Sequence, residues 1–416
     1  MSEVYIIGIG MTKFAKHIDR SIKSLSQEAV TAALQDSGVS KESLEAAWFS
    51  NSGWGYYTGQ HSIRGQVALR ACGIEQIPIT NVENACASGS TALYSAYLAI
   101  KAGQHDCVLA IGAEKMYHED REKMFRAFFM GVDVENTDEQ IALFQSLGEK
   151  APLTEAQAAM GGKAGQDKSV FMDAYAGMAR YHAAKYKSTQ RQLAIIASKN
   201  HFHSSMNPLA QYQNDMTVED ILAARVVSYP LTVPMCAPVG DGSAAAVICS
   251  KTFLEKHPNT RAVRIRASVL GSGSSRSKDE DDQDIGMRLS KKAYEIAQVG
   301  PADIDLAEVH DATAYGELHQ YEALGFCPFG EGGAFAESGA TTLGGKLPVN
   351  TSGGLESRGH PIGASGLGQV YELVTQLRSE AGKRQVEGAR LALAENGGGI
   401  IGFEEAAMAV HILEKN

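Results

Sequence analysis

The sequence predicts an α/β protein built from two similar halves, because one order of elements occurs twice. Residues 88–103, "SGSTALYSAYLAIKAG", show apolar residues at helical spacing before a glycine, and the apolar run "CVLAIGAEKM" follows at 107–116. Residues 359–382, "GHPIGASGLGQVYELVTQLRSEAG", repeat that helical pattern, and "GARLALAENGGG" follows at 388–399. Helices that alternate with strands imply crossover connections, so each half is expected to hold a mostly parallel sheet.

The length supports a division into two domains. A chain of 416 residues exceeds the roughly 250–300 residues that one hydrophobic core usually serves. We expect the boundary after the apolar strand "SAAAVICS", with an N-terminal domain at 1–250 and a C-terminal domain at 251–416. The segment from about 117 to 235 is rich in helix-forming residues and predicts a helical insertion. Its Phe and Met side chains either cover a pocket or make dimer or core contacts.

The first predicted element, "VYIIGIGMTKF", is an apolar run followed by a glycine turn. The pair Gly8 and Gly10 suggests a dinucleotide-binding loop, but Lys13 stands where that fingerprint needs a third small residue. A buried core strand is therefore expected here.

Composition and charge exclude several classes of function. The chain has 44% hydrophobic residues and a net charge of −10, which argues against a nucleic-acid partner. The amino terminus has no secretory signal pattern, and no apolar run approaches the ~18 residues of a membrane span, so we expect a cytoplasmic protein. Six scattered cysteines without a CxxC pair predict neither a disulfide framework nor a zinc ribbon, and no metal is expected, even at "HFH", 201–203.

Three short segments combine a reactive side chain with small residues. "NACASGS" (84–90) places Cys86 on a predicted strand-to-helix turn, "EVHDATAYGE" (308–317) contains His310, and "SRGHPIGASG" (357–366) contains His360. A helix N-terminus and an adjacent histidine both favour a thiolate, so we expect a lowered pKa for Cys86. His360 suits a general base, and backbone N–H groups of "LAENGGG" suit an oxyanion. Together these features predict covalent acyl transfer.

In their order, "NACASGS", "HDAT", "GHPIGASG" and "ENGGG" resemble the motifs of the thiolases, with most likeness to the sterol carrier protein X-type branch. The resemblance covers essentially the whole chain. It implies a duplicated five-layer αβαβα fold, a homodimer formed through the N-terminal half, and carbon–carbon bond chemistry on coenzyme A thioesters, with coenzyme A as a substrate.

Carried over by position, the resemblance makes Cys86 the acylated nucleophile and His360 the base that activates it. His310 would position a water or a donor at the thioester-oxygen hole, and the N–H groups of Cys86 and Gly397 would form a second hole. The second cysteine of the family is absent here, because Glu395, Asn396 and Ala312 occupy its candidate positions. The acid that protonates the leaving enolate is thus unassigned, with His310 the best substitute.

Members with such departures often work beside a small OB-fold protein that carries a zinc ribbon, and the resemblance extends this expectation to a partner subunit here. A bulky, aromatic acyl group is favoured by the aromatic residues Phe125, Phe128, Phe129, Trp54, Tyr56 and Tyr57. Candidates for contact with coenzyme A phosphates are Lys13, Arg64 and Arg358. The default interpretation of these three residues is ordinary surface charge.

Two functions besides thiolysis stay open from the sequence. One is a retro-aldolase or a carbon–carbon-forming acyltransferase of the same fold, and in the aldolase Tyr315 would be a candidate acid or base. The other is a non-catalytic subunit of an acyl-CoA complex, which the missing second cysteine favours. Retention of Cys86, His310 and His360 argues against that second alternative.

Overall fold

The computed structural model describes residues 3–147, 149 and 151–416. Its strands are β1 (Val4–Met11), β2 (Ala46–Ser50), β3 (Ile79–Val82), β4 (Cys107–Lys115), β5 (Val226–Ser228), β6 (Leu231–Thr232), β7 (Asp241–Ser250), β8 (Val263–Ser272), β9 (Leu306–Glu308), β10 (Leu391–Ile401) and β11 (Glu404–Lys415).

The helices fall into two groups, before and after β7. The first group is α1 (Ile22–Ser37), α2 (Trp54–Thr58), α3 (Arg64–Ala71), α4 (Ser88–Lys101), α5 (Arg121–Arg126), α6 (Thr137–Leu147), α7 (Glu155–Ala158), α8 (Val170–Tyr186), α9 (Gln190–Ser205) and α10 (Val218–Ala223). The second group is α11 (Lys251–Lys256), α12 (Ile285–Ala297), α13 (Ala314–Ala323), α14 (Gly332–Glu337) and α15 (Ser365–Leu377).

Nine of the strands form one sheet in the order β3-β2-β4-β7-β1-β8-β11-β10-β9. The pairs β2/β3, β2/β4 and β9/β10 are parallel, and the pairs that include β1, β7, β8 or β11 are antiparallel. The expectation of mostly parallel sheets was therefore wrong. The last strand of each half returns beside its predecessor, and a tight hairpin at Gly402 (φ 68°) joins β10 directly to β11.

The layered architecture follows from which way alternate strand residues point. On β4, Leu109 packs with the outer helices α1 and α3, while Val108 packs with the inner helix α4. On β10, Leu393 packs with the outer helices α12 and α13, while Ala392 packs with the inner helix α15. The chain thus has outer helices, strands, two inner helices, strands and outer helices, which confirms the predicted five-layer α/β fold.

The inner helices α4 and α15 are the two helices that the repeated pattern predicted. Their predicted apolar faces are buried in one shared core: Leu93, Ala96, Tyr97, Ile100, Leu367, Val370, Val374 and Leu377. Gly103 follows α4 with φ 71°, as expected for a helix stop. In the second copy Ser379 (φ 62°) takes the left-handed conformation, three residues before the predicted Gly382.

The inner helices begin differently from the long outer helices. Ser21, Thr189 and Thr313 cap outer helices, each accepting a backbone N–H with its side chain. By contrast, Ala87 precedes α4 and Ala364 precedes α15, and neither offers a side-chain cap. The turns that precede these helices bond their first N–H groups instead: the Ser88 N–H donates to the Ala85 carbonyl, and the Ser365 N–H donates to the Ile362 carbonyl.

Between β4 and β7 the chain forms the helices α5 to α10 and the small β5/β6 hairpin. This region corresponds to the segment predicted as a helical insertion; the division into domains at residue 250 stays a prediction. The opening run forms β1, whose eight residues are all buried, as expected of a core strand. Within the described ranges, no helix has the length and apolar character needed to cross a membrane.

Candidate active site

Cys86 lies on the turn between β3 and α4, two residues before the helix begins. Ala85, which precedes it, has φ 46°, a conformation that side chains other than glycine rarely adopt. Ser88 closes the turn: its hydroxyl donates to the Ala85 carbonyl at 2.6 Å and accepts the Asn84 N–H at 2.9 Å. The backbone thus fixes where the thiol points.

His360 lies against the thiol, with 3.2 Å between its Nε2 and Cys86 Sγ. Its Nδ1 is 2.7 Å from the Ser365 hydroxyl, which donates its own proton to the Pro361 carbonyl at 3.0 Å. Because that hydroxyl has a single proton, it accepts the Nδ1–H of His360. The Nε2 lone pair is therefore free to take the proton of the thiol.

Burial keeps this pair neutral at rest. It raises the pKa of the Cys86 thiol to about 12, helped by the nearby Glu83 carboxylate, while the N–H groups of Gly399 and Cys86 oppose the rise. Burial also holds the pKa of His360 well below its ordinary value, and nearby His310 lowers it further. The expectation of a lowered thiol pKa was wrong, because desolvation outweighs the N–H groups. The resting state is a thiol beside a neutral imidazole.

The second histidine, His310, lies edge-on to His360 with 5.3 Å between ring centroids. The side-chain amide of Asn396 is 3.1 Å from His310 Nδ1 and donates to it, so the ring proton is on Nε2. Burial lowers the pKa of His310 to about 4, so the ring is neutral. The two histidines therefore have opposite roles, one as a base and one as a hydrogen-bond donor.

Buried polar groups hold the loop that carries His310. Its backbone N–H donates to the Glu395 carboxyl at 2.8 Å, and burial raises the pKa of that carboxyl to about 8. The next residue, Asp311, accepts the N–H of Leu355 at 2.6 Å and an amide N–H of Asn200 at 3.1 Å. These bonds tie the "HD" segment to the turn that precedes His360 and to α9.

The glycine run at the end of β10 meets the Cys86 turn; the place of the Gly397 N–H in the second oxyanion hole stays a prediction. A Cβ on Gly398 would lie 2.3 Å from the Asn84 carbonyl and 2.9 Å from the Cys86 nitrogen. The N–H of Gly399 is the one that interacts with the Cys86 sulfur. Gly397, expected at the second oxyanion hole, is absent from the cavity lining, whereas Gly398 and Gly399 are part of it.

These groups line a cavity of about 390 Å³. Cys86, His310 and His360 lie in it together, as the sequence predicted. The region between β4 and β7 supplies much of the apolar wall, namely Met124, Phe125, Phe128, Phe171, Met172, Tyr175, Val227 and Val233. Basic side chains also contribute: Lys16, Arg121, Lys168 and Arg225. The cavity is thus apolar inside and carries cations for an anionic ligand.

Several residues considered from the sequence do not line this cavity: Trp54, Tyr56, Tyr57, Phe129, Lys13, Arg64 and Arg358. Arg358 is instead buried and pairs with Glu308 at 3.1 Å. Tyr315 lines two other cavities, but not the one that contains Cys86. In "HFH", His201 lies 3.2 Å from the Ser357 hydroxyl and His203 bonds the Asn350 carbonyl at 3.0 Å, so both histidines support the fold.

Ser365, Asn396 and Gly399 were missed as site residues. Ser365 and Asn396 stand inside motifs that the sequence highlighted, but no one-dimensional pattern shows which ring nitrogen each contacts. Cys86, His310 and His360 are also a set of three potential metal ligands within 4.8 Å, found among the described residues. The absence of a metal therefore stays a prediction.

This geometry places a thiol against a histidine, with backbone N–H groups at the sulfur, and two family models match the chain. The thiolase N-terminal domain model matches residues 4–227, and the thiolase C-terminal domain-like model matches residues 275–415. The chain belongs to the thiolase family.

Relatives of known name span nearly the whole chain. An acetyl-CoA acetyltransferase of Methanothermobacter thermautotrophicus is 38% identical and covers 100% of both chains. Bovine sterol carrier protein 2 is 37% identical over 98% of this chain and 74% of its own length. The benzoylsuccinyl-CoA thiolase subunit BbsB of Thauera aromatica is 34% identical over 95% of each chain.

Among solved structures, a chain described as an Ltp2-ChsH2(DUF35) aldolase superposes with a TM-score of 0.77. It is 23% identical, and the match covers 99% of this chain and 97% of that one. At this identity the likeness is evidence for the fold. The relatives confirm the resemblance to the sterol carrier protein branch, and their names place the chain among acyltransferases of acyl-CoA metabolism.

Proposed function

We propose that this protein cleaves a 3-oxoacyl-CoA by retro-Claisen thiolysis through an acyl-enzyme on Cys86. The observation that carries the proposal is the 3.2 Å approach of Cys86 Sγ to the unprotonated Nε2 of His360. A nucleophile that contacts a base held by a third group is the arrangement required for covalent acyl transfer. A retro-aldol cleavage would need a base but no thiol at this position.

The neutral resting pair defines the first step. As Sγ of Cys86 attacks the 3-oxo carbon, its proton passes to His360 Nε2, and Ser365 accepts the hydrogen bond from Nδ1 of the imidazolium that forms. The carbon–carbon bond then breaks, leaving the acyl group on sulfur and the electron pair on C2 of the other thioester. Coupling proton transfer to attack avoids a free buried thiolate, which desolvation disfavours.

Two groups of donors suit the two oxygens that gain charge. The N–H groups of Cys86 and Gly399 lie at the sulfur and suit the oxyanion on the attacked carbon. The Nε2–H of His310 suits the thioester oxygen of the leaving enolate, because Asn396 fixes the required tautomer. Removing one donor of this kind typically costs roughly 10²–10³-fold in rate.

The shape of the cavity supports a bulky, aromatic acyl group. Phe125, Phe128 and Phe171 line it, and the rings of Phe128 and Phe171 meet edge-to-face at 6.5 Å. Such walls favour a flat apolar substituent. The basic groups Lys16, Arg121 and Arg225 suit the phosphates of coenzyme A, in place of the residues considered from the sequence.

The proposal includes an assembly. We expect a homodimer core and a small OB-fold, zinc-ribbon partner subunit, in the cytoplasm. The relative from Thauera aromatica is named as a subunit of its thiolase, which supports a heteromeric enzyme here.

The test is intact-mass analysis of the protein after incubation with acetoacetyl-CoA and with benzoylacetyl-CoA. A mass increase of one acyl group in the wild type, absent from Cys86→Ala, is the expected result. A stronger adduct with benzoylacetyl-CoA would support the aromatic acyl group. Carbon–carbon cleavage that persists in Cys86→Ala would point to the aldolase alternative. No adduct and no cleavage, even with the partner subunit added, would point to the non-catalytic one.

A further inference from the structure

The thiolysis proposed above needs an acid at C2 of the leaving enolate. The positions expected to hold it cannot act: Ala312 has no functional group, Asn396 is an amide, and Glu395 does not line the cavity and accepts the His310 N–H at 2.8 Å. Asn396 is moreover committed to His310 Nδ1. The proton must therefore come from another side chain that lines the cavity.

Glu405 is a carboxyl in that cavity lining, together with Cys86, His310 and His360. It is the second residue of β11 and pairs with Ile400 across the hairpin. Asp167, the other lining carboxyl, is exposed to solvent. Glu405 is thus the less exposed of the two carboxyls that line the cavity.

One residue of the glycine run packs against this carboxyl, and the next packs against the Cys86 turn. A Cβ on Gly397 would lie 2.7 Å from Glu405 Cγ and 3.3 Å from its Oε1. A Cβ added to the next residue, Gly398, would lie 2.9 Å from the backbone nitrogen of Cys86. Any side chain at residue 397 would displace the Glu405 side chain. The observed position of the Glu405 carboxyl therefore requires a glycine at 397.

The surroundings of Glu405 favour a protonated acid. Burial raises the pKa of Glu405, and the positive charge of nearby His319 opposes the rise. His319 itself is held by Asp284 at 3.2 Å, which in turn pairs with Arg276 at 2.7 Å. A carboxyl whose pKa is raised holds its proton to higher pH than an exposed glutamate and can deliver it to a carbanion.

We propose that Glu405 is the acid/base that replaces the second cysteine of the family, protonating C2 of the enolate that Cys86 attack releases. In the first half-reaction its O–H bond breaks, a C2–H bond forms, and Glu405 becomes a carboxylate. In the second, that carboxylate takes the thiol proton of coenzyme A as the coenzyme's sulfur attacks the acyl-enzyme. The imidazolium of His360 returns its proton to the released Cys86 sulfur, so every proton is accounted for.

Other groups in the lining compete for this role. Cys236 borders the cavity, but its thiol donates to the Thr232 carbonyl at 3.4 Å, and burial raises its pKa well above the ordinary value. Tyr175 borders the same cavity, but burial raises its pKa well above the ordinary value, so its hydroxyl is a weaker acid. His310 is neutral, with a pKa lowered to about 4, and it donates from Nε2 as an oxyanion partner. Losing that proton would leave an imidazolate, which disfavours His310 as the acid.

The experiment compares the wild type with Glu405→Gln, Glu405→Asp and Tyr175→Phe in two assays. One assay follows carbon–carbon cleavage of acetoacetyl-CoA and benzoylacetyl-CoA. The other follows exchange of isotopically labelled coenzyme A into acetyl-CoA or benzoyl-CoA, which requires the Cys86 acyl-enzyme but no protonation of carbon. A thiolate leaves far more readily than an enolate, so exchange depends much less on an acid.

We expect Glu405→Gln to slow cleavage by about 10³-fold and exchange by less than about tenfold, because a general acid contributes roughly 10²–10⁴-fold. Glu405→Asp should restore part of the cleavage rate, and Tyr175→Phe should change the ratio of the two rates little. Retained exchange also shows that the variant is folded.

Equal loss of exchange and cleavage in Glu405→Gln, or cleavage near the wild-type rate, would overturn the role of Glu405. Selective loss of cleavage in Tyr175→Phe instead would assign the acid to the tyrosine. Absence of exchange and of an acyl-enzyme in the wild type would refute the proposed thiolase function itself, which this inference requires.

Discussion

The turns before the two inner helices contribute to one site by different means. The turn before α4 is held by its own backbone, with Ala85 at φ 46° and Ser88 bonding across it. The turn before α15 is held by distant side chains. Ser50 donates to the Gly363 carbonyl at 2.6 Å and Glu114 accepts the Gly363 N–H at 3.1 Å, while the nearby Ser365 orients the ring of His360.

The difference reflects what each catalytic group needs. A thiol has one short side chain, so fixing the backbone fixes the direction of its sulfur. An imidazole has two nitrogens with opposite roles, so a partner must select the tautomer and the ring orientation. In the proposed mechanism, one copy of the repeat supplies a positioned nucleophile, and the other supplies a base with its own hydrogen-bonded support.

The largest effect is expected at the turn before α15, where the side chain of His360 is removed. His360→Ala removes the base while the Cys86 turn stays intact, so acylation should slow by about 10³-fold. Rapid-quench measurement of acyl-enzyme formation checks this, with exposed His257→Ala as the matched control. An unchanged acylation rate would mean that the backbone alone activates the thiol.

A smaller loss is expected when the partner of His310 is removed. Asn396→Ala leaves the ring in place but frees its tautomer. Carbon–carbon cleavage should fall by roughly 10- to 100-fold, less than the roughly 10²–10³-fold cost of removing an oxyanion donor outright. His310→Ala in the same steady-state assay supplies the reference, and a greater loss in Asn396→Ala than in His310→Ala would contradict the assigned roles.

The contact between β10 and the turn that carries Cys86 is tested by Gly398→Ala. The added Cβ would lie 2.3 Å from the Asn84 carbonyl and 2.4 Å from the Ala87 nitrogen, so the Cys86 turn must shift. Overpacking of this kind costs about 1–3 kcal/mol of unfolding free energy. Urea denaturation measures it, and Gly300→Ala, whose Cβ would meet its nearest atom at 3.8 Å, is the control. Equal unfolding free energies of the two variants would show that the Cys86 turn shifts without a cost in stability.

The smallest expected effect concerns pH. Because the pKa of His360 lies well below its ordinary value, kcat/KM should fall less than about twofold between pH 7.5 and 5.5. A histidine with the ordinary pKa of about 6.5 would lose about tenfold. A 3-oxoacyl pantetheine thioester, which lacks titrating phosphates, is the suitable substrate. An acid limb near pH 6.5 would indicate a solvated imidazole.

Much of the fold could be read from local patterns. Helical spacing over 88–103 and 359–382 predicted both inner helices, because their buried faces need apolar residues at fixed intervals. The sheet was harder, because strand direction depends on which strands become neighbours. The antiparallel return of β7 and β11 follows from long-range pairing, which no local pattern records.

The sequence by itself determined the reactive groups, since Cys86, His310 and His360 stand in short, distinctive motifs that the structure brings into one cavity. Tertiary structure decided the protonation states and the hydrogen-bond partners of these groups. The raised thiol pKa comes from burial, the tautomers come from Ser365 and Asn396, and the register of the glycine run comes from its packing under the Cys86 turn. Residue type and order specify the available chemistry, whereas desolvation and hydrogen bonding depend on atoms that are far apart in the chain.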